Sequence, residues 1–186
     1  IGSIRINDGA GATGVTDLSA AQAGAVTLVA GGAGAVTIGV KDATTVGQID
    51  TVKIAVDDGA TAVNTITLTA PVLTGVEKLE LNAATDAVTV TDLTSAAALD
   101  GIIVNATHSS GTTTIVSGTV IANANTLIDA TGSTASVVLN YGGVTAGTNA
   151  ISLKGGSGDD SITSTGVTDD FVDGGDGIDT ITVTQD

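Results

Sequence analysis

The sequence predicts an all-β fold, an elongated parallel β-solenoid, and three observations carry that expectation. Apolar residues make up 42% of the 186 positions, yet there is one Phe, one Tyr, no Trp and no Met. A broad globular interior uses aromatic side chains to fill its volume, so a core built from Ala, Val, Ile and Leu is a thin one. Val, Ile and Thr, which suit strands, are abundant beside Gly and Ala, and Pro71 is the single proline. Finally, short strand-like clusters recur at a nearly constant interval.

Taken along the chain, the clusters form two interleaved series. The first is VTLV (26–29), VKIAV (52–56), KLEL (78–81), GIIV (101–104), TLID (126–129) and AISL (150–153), its members starting at nearly even intervals. The second is VTIGV (36–40), TITL (65–68), VTV (88–90), TTIV (113–116), VVLN (137–140) and SIT (161–163), with a similar period of about two dozen. VTDLS at 15–19 returns as VTDLT at 90–94, three such periods later. Inside the clusters the alternation has period two. Val52, Ile54 and Val56 point one way and Lys53 and Ala55 the other, while Ile66 and Leu68 lie between Thr65, Thr67 and Thr69. That is strand patterning.

The segments between clusters carry Gly, Asn, Asp, Thr and Ala, which is turn chemistry. No long segment has helical spacing with caps, and SAAALDG (95–101) is too short to matter. Paired strands repeating in this way imply coils of about 24 residues, each laid on the last about 4.8 Å away. Asn82, Asn105 and Asp129 follow successive strands at almost equal intervals. They are candidates for a stacked hydrogen-bonding ladder, or simply turn residues. A β-sandwich also accommodates short strands with frequent turns. Disorder, the alternative for a Gly- and Thr-rich acidic chain, is opposed by the regular clustering of the aliphatics.

The formal net charge is −15, from twenty acids and five bases. Eight of the acids lie between Asp159 and Asp186, and no Lys or Arg follows Lys154. Without a basic patch, nucleic-acid binding is not expected. Uncompensated carboxylates repel one another and call for a cation or open solvent. With no cysteine, no disulfide holds the chain together. No stretch is long and apolar enough for a helix to span a bilayer, so no membrane insertion is expected. The chain starts at Ile1 without an initiator Met or signal segment, which suggests a piece of a longer protein.

Chemistry concentrates near the end. GGSGDDSIT (155–163) fits the nonapeptide G-G-x-G-x-D-x-U-x at every defined position, with Asp160 sixth and Ile162 eighth. GGDGIDTIT (174–182) fits equally, with Asp179 and Ile181. Between them TGVTDDFVD (165–173) keeps Asp170 and Val172 but one of three glycines. Ser164 is an extra residue, so the full copies stand one position further apart than two nonapeptides require. The first six positions of such a unit form a turn in which glycines permit unusual backbone angles and expose carbonyls. The last three form a short strand. Copies one coil apart place their turns over each other, so carbonyls and two carboxylates converge on a gap the size of a hard cation. Ca²⁺ takes six to eight oxygens in flexible geometry, whereas Mg²⁺ demands stricter geometry. Zn²⁺ prefers His or Cys, and His108 stands alone.

These two segments resemble the RTX calcium-binding repeats of proteins exported by type I secretion. The resemblance implies Ca²⁺ between the two turns, with carboxylates from Asp160 and Asp179 and carbonyls from Gly155, Ser157, Gly175 and Gly177. The expected organisation is a solenoid body over 1–154 continuous with a calcium-binding β-roll over 155–186. Asp8 in NDGAG (7–11) and Asp57 and Asp58 in DDGA (57–60) are weaker calcium candidates. His108, in NATHSSG, is expected on a solvated turn. Neither a nucleophile elbow nor a phosphate-cradling loop nor paired buried carboxylates stand out, and no enzyme is expected.

LTGVEKLELNAA (73–84) and the Thr/Val/Ala-rich strands after it resemble the bodies of RTX-bearing bacterial surface-layer proteins. The resemblance implies a structural segment of a secreted, extracellular protein of the bacterial cell surface. It would stay unfolded in a low-calcium cytoplasm, fold with Ca²⁺ outside, and self-associate into a lattice or filament. Attachment to cell-surface polysaccharide would fall to the rest of the parent chain. The alternatives are a spacer or binding module of a large RTX adhesin, or the accessory β-roll of an exported RTX protease or lipase.

Overall fold

The computed structural model describes residues 4–7, 13–30, 35–41, 48–93, 98–116, 126–141, 150–164 and 170–184. The chain begins with β1 (Ile4–Asn7), β2 (Thr13–Leu18), the short helix α1 (Ala20–Ala23), β3 (Val26–Ala30), β4 (Val36–Val40) and β5 (Thr51–Val56). It continues with β6 (Thr65–Thr69), β7 (Val72–Thr74), β8 (Lys78–Ala83), β9 (Ala87–Thr91), β10 (Gly101–Ala106) and β11 (Thr113–Val116). The last six strands are β12 (Leu127–Asp129), β13 (Val137–Asn140), β14 (Ser152–Lys154), β15 (Ser161–Ser164), β16 (Phe171–Asp173) and β17 (Thr180–Val183).

Pairing is parallel throughout the described strands, and the architecture is the expected β-solenoid. One eight-stranded sheet runs β1-β3-β5-β8-β10-β12-β14-β16. It is the first sequence series with a strand added at each end. The second series divides. Its members from 65–68 onward form a six-stranded sheet, β6-β9-β11-β13-β15-β17, but β4 belongs to a three-stranded sheet, β2-β4-β7. The spacing carried the warning, since the step from Val36 to Thr65 is longer than any later step in that series. After β6 the backbone turns at Ala70, with φ of 39°, and Pro71 into β7, giving that coil a third strand.

The VTDL echo marks a shared corner. Asp17 and Asp92 both adopt left-handed backbone, φ 59° and 55°, and the following Leu18 and Leu93 are buried. Asp tolerates this region better than most residues. The core follows the alternation: in β5 Val52, Ile54 and Val56 are buried, and in β6 Ile66 and Leu68. Register stacks like on like, so Val52, Leu79, Ile102, Ile128, Leu153 and Val172 form one inward column through successive coils. Each fully buried aliphatic contributes about 1.5–3 kcal/mol. Tyr141 is the largest buried side chain, and burial holds its phenol protonated far above the ordinary tyrosine range.

Two expectations are corrected, for the ladder and for His108, and one short helix is added. The Asn82–Asn105–Asp129 ladder has one rung, in which Asn105 Nδ2 donates to Asn82 Oδ1 at 2.9 Å; Asn82 Nδ2 turns instead to Glu80 Oε1 of its own strand at 3.2 Å. Asp129 pairs in register with Ile103 instead, because the β10-to-β12 coil is long and sets Gly101 against Leu127. Its Oδ1 accepts the N–H and hydroxyl of Thr131. A helix does occur, α1, too short to leave a periodicity. Its trace is the SAAQ capping box, in which Ser19 and Gln22 bond reciprocally. His108 is buried rather than solvated, only 4% exposed, with Nε2 2.9 Å from Thr113 Oγ1. Residues 95–97 of the SAAALDG candidate lie outside the described residues.

Candidate functional site

From β5 onward each coil leaves the eight-stranded sheet through a turn and enters the six-stranded one, and these turns stack. The two nonapeptides occupy the last two levels. Ser161, Ile162, Thr163 and Ser164 pair with Thr180 to Val183, across a coil shorter than any earlier one in the six-stranded sheet. The extra Ser164 therefore does not disturb the stacking. It is buried at the end of β15, where its hydroxyl donates to Asp170 Oδ2 at 2.7 Å and its carbonyl accepts the Thr184 N–H.

The glycines are set by close approach. A Cβ on Gly155 would strike Gly174 O, and one on Gly174 would strike the Asp179 carboxylate. Gly175 and Gly177 combine left-handed backbone, φ 91° and 112°, with carbonyls of Gly156 and Gly158 where a Cβ would sit. Below them Gly156 lies on Ser133 O and Gly158 on Ala135, so the nonapeptide turns rest directly on the 130–136 turn.

The motif aspartates point between levels. Asp160, 2% exposed, accepts the N–H of Gly156 at 2.6 Å and of Val137, one coil earlier, at 2.8 Å. Asp179 Oδ1 in turn accepts the Asp160 N–H at 2.9 Å. The same device recurs along the solenoid, which the sequence reading missed. Glu77 accepts from Asp50 N–H at 2.7 Å, Asp86 from Asn64 at 2.8 Å, and Asp170 from Ile151 at 3.1 Å. Each acid directly precedes a strand and satisfies the backbone donor one coil earlier, just ahead of the paired stretch. The sequence signal was there: an acid immediately before a cluster, as in EKLEL, DAVTV, DSIT and DTIT.

Of the six sequence-predicted ligand residues, Gly155, Ser157 and Gly175 line one surface groove of about 400 Å³ together with Gly156, Thr131, Asp173 and Asp176. Asp179 Oδ1 reaches the backbone N–H of Asp160, whereas the two Asp160 oxygens are taken by the N–H groups of Gly156 and of Val137 in the coil below. The two carboxylates therefore face successive gaps rather than one, and Gly177 lies over Gly158. Asp173 Oδ1 accepts the Gly175 N–H at 3.2 Å, and Asp159 Oδ1 the Ile178 N–H at 2.9 Å. All side-chain donors offered here are oxygens, a set that fits a hard cation and not a soft one. Ile162 is buried as the motif requires, whereas Ile181 above it is 48% exposed at the edge strand β17.

Burial pushes the Asp160 carboxyl above the ordinary aspartate range. The N–H groups of Val137 and Gly156 oppose that shift, and the charges of Asp179 and Asp159 add to it. A folded-state pKa above the unfolded one means the native state holds the proton more tightly, so this group's contribution grows as pH falls through the raised value. In chelator, the melting temperature of the wild type relative to Asp160→Asn is thus expected to rise as pH falls toward the ordinary aspartate range. A difference that does not change with pH would contradict the assignment.

One three-carboxylate cluster occurs among the described residues, formed by Asp57, Asp58 and Asp86. Asp57 and Asp58 are candidates from sequence, and the fold adds the fully buried Asp86, whose Oδ2 accepts the Asp58 N–H at 2.8 Å. The N–H of Ala60, more than any other contact, holds the Asp58 carboxyl below its usual range. Asp8 lies outside the described residues. Compared with protein-family models, curated proteins and solved structures, the chain matches none of them.

Proposed function

We propose that the chain is a structural segment of a secreted bacterial surface-layer protein, exported by type I secretion, whose C-terminal coils order on Ca²⁺. The observation that carries this reading is the stacking of two complete nonapeptide turns one coil apart, with Asp160 and Asp179 linked between levels. Asp160 and Asp179 would hold the ion with carbonyls of Gly155, Ser157, Gly175 and Gly177. The ion supplies charge compensation where no Lys or Arg follows Lys154. Ordering Gly-rich turns costs much backbone entropy, and metal binding offsets that cost, so binding energy becomes folding energy. In a low-calcium cytoplasm the carboxylates repel and the segment stays open; outside the cell it closes onto the finished solenoid.

The test uses the single tyrosine. With no Trp in the chain, emission from Tyr141, buried and bonded through its N–H to Thr163 O, reports on the C-terminal coils. Removing Ca²⁺ with a chelator is expected to lower the melting of the tyrosine signal and reduce far-UV strand signal, with Mg²⁺ failing to restore either. Identical melts with Ca²⁺ and with chelator would end the calcium reading.

A further inference from the structure

The outward face of the eight-stranded sheet differs from the rest of the molecule. Its strands carry Arg5, Lys53, Lys78 and Lys154, four of the five bases, against Glu80, Asp129 and Asp173. The face therefore sums to +1 (4 − 3), and the remaining sequence, with one base and seventeen acids, to −16. It also exposes Ile103 at 39%, Leu127 at 36% and Phe171 at 51%. Among the described strands, those of this sheet alone carry Lys or Arg, so it is the one sheet face on which a second copy can find paired charges of both signs.

Register orders these side chains into columns. One reads Lys53, Glu80, Ile103, Asp129, Lys154, Asp173, and its neighbour reads Thr51, Lys78, Gly101, Leu127, Ser152, Phe171. Rungs are about 4.8 Å apart. A two-fold axis along the strand direction, in the plane of a face-to-face contact, lays each column on its own reverse. The first column then sets Lys53 against Asp173 of the second copy, and Glu80 against its Lys154, each twice by symmetry. Within one chain Lys53 Nζ already meets Glu80 Oε2 at 2.6 Å, so docking extends that pair into a network. The second column sets Leu127 against Gly101 and Phe171 against Thr51, large side chains over small ones. Ile103 meets Asp129, whose carboxylate is already bonded by the N–H and hydroxyl of Thr131. The opposite alignment, copies parallel, would stack each charge on its like.

We infer that this face is the docking surface for a second copy of the chain, in an antiparallel, isologous dimer held by the Lys53–Asp173 and Glu80–Lys154 pairs. The inference deepens the surface-layer reading by naming the first contact of self-assembly, and it rests on that reading only for its biological use.

Sedimentation equilibrium of the whole chain in Ca²⁺ tests it. The wild type is expected to dimerise, more weakly as salt rises. Lys154→Glu sets two carboxylates against each other across the axis, and Glu80→Lys sets two ammonium groups. Each variant alone should lose at least about tenfold in dimer affinity with unchanged far-UV spectra. Mixed one to one, the two variants restore both charge pairs and should recover the dimer. A wild type that stays monomeric across the concentration range overturns the inference, as does a mixture no tighter than its components. Because calcium binding is read from the tyrosine melt and docking from mass, either reading can fail without the other.

Discussion

Gly175→Ala is expected to cost about 3 kcal/mol in the C-terminal coils, the sum of left-handed strain and a steric clash. The backbone at Gly175 has φ of 91°, and an added Cβ would fall on the carbonyl oxygen of Gly156, itself the acceptor of the Asp176 N–H. The lower turn cannot retreat, since Gly156 is packed against Ser133 O below. Gly59 provides the comparison. Its φ is 80°, yet nothing lies within 4 Å of a Cβ there, so Gly59→Ala should cost about 1 kcal/mol of strain alone. Urea unfolding in Ca²⁺, followed by tyrosine emission for Gly175→Ala and by far-UV signal for both, separates the two. Equal losses would mean that the nonapeptide turns are not in contact.

Asp86→Ala is expected to be comparably severe, about 3 kcal/mol. Asp86 is fully buried and its two oxygens accept the backbone N–H groups of Asp58 and Asn64. Truncation strands both donors, and an unsatisfied buried donor costs about 1–3 kcal/mol. The damage should appear in the far-UV melt and leave the calcium response of Tyr141 intact, because the nonapeptides lie several coils away. Asp86→Asn should recover only part of the loss, since an amide offers one acceptor oxygen where the carboxylate offers two. If Asp86→Ala melts with the wild type, the acid-before-strand device is ornamental.

The same device shows where the sequence was legible. An acid ahead of an aliphatic cluster is visible at Glu77, Asp86, Asp160, Asp170 and Asp179 without coordinates. That its carboxylate reaches the donor one coil earlier depends on register, which coil length sets. The ladder fails for that reason. The interval from Asn82 to Asn105 extends along the chain almost to Asp129, but the next coil is longer and brings Asp129 beside Ile103. His108 departs from its expected place because a polar turn composition says nothing of what lies beneath it, here Thr113.

By itself the sequence determined the period, the inward alternation, the thin aliphatic core and the two nonapeptides. These are local properties: side-chain direction in a strand alternates whatever its partner, and glycine permits its turn wherever it stands. Only the tertiary structure decided which strands share a sheet, that 36–40 joins 13–18 rather than 65–69, and which charges line up in columns on the outward face. Those depend on how much chain each turn consumes before the next strand begins. Lengthening a turn by a pair of positions slides every later side chain along its neighbour, while the inward and outward alternation of each strand stays unchanged.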